Sequence, residues 1–280
     1  MKEILIPFAY SIARDVRLYK VSVATSLMTF FKNMFLVYAW VPFLMLLVLD
    51  MFLQFSVYGL LTMYLLSFIL IYEAGYIASD VIGVTFEKKR IRRKIYDDVP
   101  ILLSLSGIVI RLLLVGLILT LLSAGPVVFL YVLTAVFFFL HASSKEHYRI
   151  GTFLCLRILK GLVPYAFLLP LLAQEYVLLI FIGLLGTSIY HLIEYYIKKL
   201  GGKIEFDIFS FKNSLIKIWI VGLLTVLCSF IFPLSLRAAT LFFTVFLIHH
   251  CLYMSIRLLG NRKQTDVFNV IGNKNSEDSQ

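Results

Sequence analysis

Three carboxylates, Glu73, Asp80 and Glu87, recur at seven-residue intervals in the stretch EAGYIASDVIGVTFEKKRIRRK at 73–94. Seven residues are nearly two helical turns, so on one continuous helix the acids share a face at steps of roughly 10 Å. A basic run, Lys88, Lys89, Arg90, Arg92, Arg93 and Lys94, follows at once. Acids beside such a run suit Mg²⁺, which takes carboxylate oxygens and bridges to substrate phosphates. On this reading Glu73, Asp80 and Glu87 are metal-ligand candidates, and Lys89 and Arg90 are candidates to grip a diphosphate. The competing reading is a charged helix end whose cations set topology and meet anionic lipid.

Two further apolar segments carry charge. Arg157 and Lys160 lie one turn apart in GTFLCLRILKGLVPY, too far inside for Arg157 to snorkel easily. They could hold phosphate oxygens, or form a structural ion pair with Glu73 or Glu194. In YHLIEYYIKK, His191 and Glu194 share a face, with Lys198 one turn on. Glu194 reads either as a further metal-facing carboxylate or as a partner of Lys198, and His191 as a substrate contact or a structural residue. Arg111 is a lone cation placed to pair with one of the acids. His249 and His250 diverge by about 100° on a helix and read as structural. No serine-hydrolase elbow, HExxH, Walker A or zinc spacing occurs. Cys155, Cys228 and Cys251 stand singly in apolar segments, as packing residues do.

The elements that must position these groups are membrane helices. The 280 residues are 61% hydrophobic with mean hydropathy +0.93. Crossing a bilayer takes roughly 20 apolar residues in a helix, and the apolar segments are too long for barrel strands. The expected fold is an all-α, polytopic bundle of about eight spans, at 25–53, 56–80, 100–123, 126–143, 150–172, 175–197, 213–232 and 236–259. The connectors at 50–55, 123–126, 170–175 and 232–236 contain no Lys or Arg, whereas the opposite side collects nearly all of them. That asymmetry predicts a multi-pass plasma (inner) membrane protein with both termini cytoplasmic. It also accounts for the net charge of +10 without a nucleic-acid partner. Residues 1–24 are amphipathic and predict a cytoplasmic interfacial helix. Residues 25–259 form the bundle, and the polar tail 260–280 is expected to be disordered. No cleavable signal pattern is present.

The segment AGYIASDVIGVTFEKKR resembles the first aspartate-rich motif of UbiA-type intramembrane prenyltransferases, roughly A-G-x-x-x-N-D-x-x-D-x-x-x-D followed by basic residues. Ala74, Gly75 and Asp80 match, Glu87 stands at the last acid, Ser79 replaces Asn and Gly83 replaces the middle Asp. FFKNMFLVYAWVPF, which contains Asn33, is similar to the first helix of the branch that makes polyprenyl-phosphate phosphoribose. LYVLTAVFFFLHASSKEHYRIGTFLCLRILKG is similar to that branch's fourth and fifth helices. YHLIE falls at the second acidic motif, with Glu194 as its remaining acid. The resemblance covers most of residues 25–230, and the family's usual ninth span has no counterpart. It implies Mg²⁺-dependent transfer of a prenyl or phosphoribosyl group from a diphosphate donor to a lipid or aromatic acceptor. Asp80, Glu87 and Glu194 would then serve catalysis, and Asn33, Lys89, Arg90, Arg157, Lys160 and His191 would contact the substrate. Membrane lipids and an isoprenoid or diphosphate substrate are the implied partners. Missing acids leave a second expectation, a non-catalytic lipid-binding, transport or complex subunit of the same build.

Overall fold

The computed structural model describes residues 4–19, 22–27, 36–81, 100–144, 149–199 and 211–260, and all regular structure among them is helical. The main helices are α1 (Tyr10–Tyr19), α2 (Trp40–Val48), α3 (Phe55–Val81), α4 (Ile101–Leu121), α5 (Gly125–Ser143), α6 (Arg149–Leu162), α7 (Gln174–Lys199), α8 (Phe211–Ser229) and α9 (Leu236–Gly260). Four stretches are long and apolar enough to cross a membrane: Phe55–Val81, Ile101–Leu121, Arg149–Leu171 and Gln174–Ile193. Val127–Ser143, Leu215–Ser229 and Leu236–Leu252 are shorter apolar helices. Large apolar side chains such as Leu53, Phe55, Leu102, Phe129, Trp219 and Phe230 stand exposed. Apolar surface this extensive suits lipid rather than water. The chain is a helical membrane protein, with only helices as regular structure among the described residues.

Two of the expected spans change winding along their length. In the described part of 25–53, Leu36–Tyr38 winds as a 3₁₀ helix and an α-helix begins at Trp40, two residues before Pro42. Proline fits the first turn of a helix, where its missing N–H goes unused, and disrupts the interior. The stretch 150–172 is likewise α-helical only to Leu162, and Val163–Leu171 winds as a 3₁₀ helix. Pro164 lacks the N–H that would bond the Lys160 carbonyl, and its ring crowds that carbonyl. The α-helix therefore ends two residues beyond Lys160.

Connections are short and locally satisfied. After α2, Asp50 adopts φ 53°, while its N–H reaches Leu47 O and that of Met51 reaches Leu46 O. After α4, Ser123 adopts φ 50°, with matching bonds to Thr120 O and from Ala124 to Leu119 O. Both are Schellman closures, which give otherwise orphaned carbonyls a donor.

Besides a small cluster at the N-terminal segment, the core has two large ones. One packs Trp40, Leu44 and Met45 of α2 against Leu179 and Leu184 of α7, Val221 of α8 and Phe242 and Phe246 of α9. The other packs Phe68 and Leu70 of α3 with Val115 of α4 and Tyr131 of α5. Leu159 of α6, with Val163 and Ala166 beyond it, belongs to the second cluster, whereas Tyr165 and Leu168 belong to the first. The α6 segment is thus the seam between the two halves, and it carries the cation pair.

Close packing at the first cluster makes a direct prediction. A Cβ at Gly183 would lie 2.6 Å from the Trp40 ring and 3.0 Å from that of Phe242, while Gly116 faces open space. Trp40 is held edge-on by Phe242 and Phe246 and cannot retreat freely. Gly183→Ala should therefore destabilise by about 1–3 kcal/mol, the usual cost of overpacking. Gly116→Ala, where Ala is the better helix former, should not lower the unfolding midpoint in detergent.

Candidate functional site

Glu73 and Asp80 lie on one face of α3, as their spacing predicts, and both are buried, at 0% and 1% exposure. What they face is the N-terminal segment. The Glu73 carboxylate accepts from Phe8 N–H at 2.7 Å, Ser11 N–H at 3.0 Å and Arg111 Nε at 3.0 Å. Ser11 sits in the first turn of α1, so Glu73 satisfies one of that turn's orphan donors and lies at the positive end of the helix. Phe8 adopts φ 67°, a left-handed conformation costly for a bulky residue, and its N–H is held by Glu73.

Arg111, also at 0% exposure, completes the anchor. Its Nη1 donates to Ile4 O at 2.6 Å and Gly107 O at 3.0 Å, and its Nη2 to Ile6 O at 2.9 Å. A Cβ at Gly107 would come within 2.6 Å of Ile4 O, so a glycine there lets the segment reach α4. The expected internal partnership of Arg111 with an acid is this pair with Glu73. The segment expected to be interfacial buries Ile4 and Tyr10 beside Ile77 of α3.

One turn further along α1, Arg14 reaches Asp80. Its Nε lies 2.6 Å from Oδ2 and its Nη2 3.4 Å from Oδ1, and Tyr10 Oη donates to Oδ2 at 2.8 Å. The guanidinium lies over the Tyr76 ring at 4.7 Å. Burial opposes the Arg14 charge, but the Asp80 carboxylate nevertheless holds its pKa above the ordinary arginine value.

The network continues to α6. Tyr76 Oη bonds Tyr72 Oη at 3.0 Å, and Lys160 Nζ lies 3.5 Å from that same Tyr72 oxygen and 4.8 Å from its ring centroid. Arg157, half-buried one turn before Lys160, has Tyr38, Tyr72 and Tyr76 as electrostatic neighbours and the Phe153 ring at 5.2 Å. No carboxylate among the described residues pairs with Arg157 or Lys160. The alternative pairing with Glu73 is closed, because Glu73 is taken by Arg111 and backbone amides. Arg149 shows the contrast: it is buried too, but donates to Ser144 O and Ala142 O at the end of α5.

Beside this row lies an apolar groove of about 140 Å³, lined by Ala74, Gly75 and Ala78 of α3, Leu112 of α4 and Phe138 of α5. Phe138 meets the Tyr72 ring edge-on at 5.2 Å. His191 of α7 is buried next to Tyr190, over whose ring Lys217 Nζ stands at 4.9 Å.

Of the sequence-derived candidates, Asn33, Glu87, Lys89, Arg90 and the side chain of Glu194 lie outside the described residues. The structure links Asp80 to Lys160 through Arg14, Tyr76 and Tyr72, and sets Glu73 apart with Arg111. Among the described residues no group of three His, Cys, Asp or Glu side chains is placed to hold a metal ion. Both Asp80 oxygens accept hydrogen bonds from Arg14 or Tyr10, and Glu87 and the Glu194 side chain, its expected co-ligands, lie outside the described residues. Arg14, Tyr72 and Tyr76 were not singled out from the sequence. The signal for the tyrosines was their i,i+4 spacing around Glu73 on a polar helix face.

Removing one member of a buried ion pair costs about 3–5 kcal/mol, because the other is left charged and unpaired. Glu73→Ala should therefore lower stability by that order and speed hydrogen exchange at the Phe8 and Ser11 amides. Exchange in α7 should change much less. No protein-family model, curated protein or solved structure matches the chain, so the site is interpreted from its own geometry.

Proposed function

We propose that this chain is a UbiA-like membrane protein that binds the phosphate of an isoprenoid lipid at Arg157 and Lys160. The observation that carries the reading is a pair of cations one turn apart in a membrane helix, Lys160 only 6% exposed, with phenols but no carboxylate as described partners. An intramembrane charge is expensive without a counter-ion, and such residues commonly mark ligand sites. Phosphate oxygens supply both the missing charge and the missing acceptors. Tyr72 separates this pair from the apolar groove at Phe138, so a headgroup at Lys160 leaves hydrocarbon beside an apolar wall. The arrangement goes with eight spans and with both termini on the cytoplasmic side of an inner membrane.

A second reading is a Mg²⁺-dependent transferase using Asp80, Glu87 and Glu194, with Asn33, Lys89, Arg90 and His191 around the donor. It is favoured by the continuous chain from Asp80 to Lys160, which puts an acid and two cations in one network. It also requires Asp80 to be available to metal, and in this structure Asp80 is engaged by Arg14 and Tyr10.

Binding of farnesyl phosphate and farnesyl diphosphate to the purified protein in nanodiscs tests both. Lys160→Met and Arg157→Gln should each weaken binding about tenfold, the loss of one charge-assisted contact. Affinity should be the same in Mg²⁺ and in EDTA. Unchanged affinity in both variants overturns the proposal. Binding that requires Mg²⁺ and is lost in Asp80→Ala favours the transferase reading instead.

A further inference from the structure

The hydrogen-bond donors and acceptors around Arg157 and Lys160 do not balance. Arginine and lysine side chains only donate, so a phenol beside either can accept from it but must send its own proton elsewhere. Tyr72 Oη accepts from Tyr76 Oη at 3.0 Å and lies 3.5 Å from Lys160 Nζ. The phenol that interacts most strongly with Arg157 is a different one, Tyr38. Tyr38 is 1% exposed, and its hydroxyl has no hydrogen-bond partner among the described residues.

Packing accounts for the ring of Tyr38 and not for its oxygen. The residue closes the 3₁₀ turn Leu36–Tyr38 just before α2, and its ring lies against α6 at Gly161. A Cβ at Gly161 would come within 2.8 Å of that ring. Gly161 is one helical turn past Arg157, so the ring covers the face of α6 that carries the guanidinium. A phenylalanine would fill the same space. Buried polar atoms without a partner are few in folded proteins, and one beside an arginine with no carboxylate among its described partners points to an acceptor brought from outside.

Such a ligand must bring both acceptors and negative charge. A phosphate monoester has three strong acceptor oxygens and carries about −1.5 to −2 at neutral pH. We propose that Tyr38 is a further headgroup-binding residue, its hydroxyl donating to a phosphate oxygen held by Arg157 and Lys160. The inference rests on the reading of that pair as a phosphate site and adds a neutral donor to it. It also makes the headgroup a tie between the two halves of the bundle. Tyr38 belongs to the first large core cluster, whereas Tyr72, beside Lys160, packs against the second.

Tyr38→Phe removes the hydroxyl and keeps the ring. In full-length protein in nanodiscs it should weaken farnesyl phosphate binding about tenfold, the loss of one hydrogen bond to a charged group. Binding of farnesol, which has no phosphate, should not change. The unfolding midpoint of the ligand-free variant should not fall, because the hydroxyl bonds nothing there, whereas a structural hydroxyl would lower it. In otherwise unaltered protein labelled with ¹³Cζ-tyrosine, the Tyr38 signal, assigned through Tyr38→Phe, should shift in a saturable way as farnesyl phosphate is added.

If Lys160→Met weakens binding while Tyr38→Phe does not, the phosphate site stands and this inference is overturned. A Tyr38 signal unmoved at saturating probe, an equal loss of farnesol binding, or a lowered midpoint without ligand also overturns it. If neither Lys160→Met nor Arg157→Gln has an effect, the phosphate reading fails first and this inference falls with it.

Discussion

The buried pair of Glu73 and Arg111 is the constraint from which the rest of this end of the molecule follows. Two charges at full burial in an apolar bundle are tolerated only when each finds enough hydrogen-bond partners. Glu73 finds two backbone amides and Arg111 three carbonyls, and all but the one from Gly107 belong to residues 4–11. The pair therefore does more than neutralise itself, since it converts the N-terminal segment into part of the bundle. Once that segment is in place, Arg14 is one turn along α1 from Tyr10 and meets Asp80 one heptad along α3 from Glu73. The heptad on α3 thus serves as a two-point mount.

Committing both acids to the N-terminal segment leaves the α6 cations without a carboxylate partner among the described residues. Arg157 and Lys160 sit at the seam between the two core clusters, just before Pro164 ends the regular helix. A purely structural cation in this bundle has a visible solution, as Arg111 has Glu73 and Arg149 has the carbonyls closing α5. The α6 pair has phenol faces and hydroxyls, which soften a charge without neutralising it. An anion brought by a ligand is the physical complement of that arrangement.

Much of this was legible in the chain. Apolar lengths and the placement of Lys and Arg gave the helical membrane class, and seven-residue spacing placed Glu73 and Asp80 on one face. Arg111 was readable as a partner because a single cation in an apolar run must meet an acid. The identity of the acids' partners was not readable. Arg14 lies sixty-six residues from Asp80, and the Phe8 and Ser11 amides are backbone groups that no side-chain pattern reveals. Spacing alone fits two acids facing a metal as well as two acids facing a helix start. The breaks at Trp40 and Val163 were written in Pro42 and Pro164, but apolar composition runs through both and masks the change of winding.

The most direct measurement of the central claim, that the α3 acids are committed within the protein while the α6 cations await an anion, is arginine side-chain NMR. The Nε–H signals of ¹⁵N-arginine-labelled protein can be assigned by Arg111→Lys and Arg157→Lys and followed as farnesyl phosphate is added. The account predicts that the Arg157 signal shifts in a saturable way while the Arg111 signal, locked on Glu73, stays in place. An unmoved Arg157 signal, or an Arg111 signal that shifts with the ligand, would contradict it.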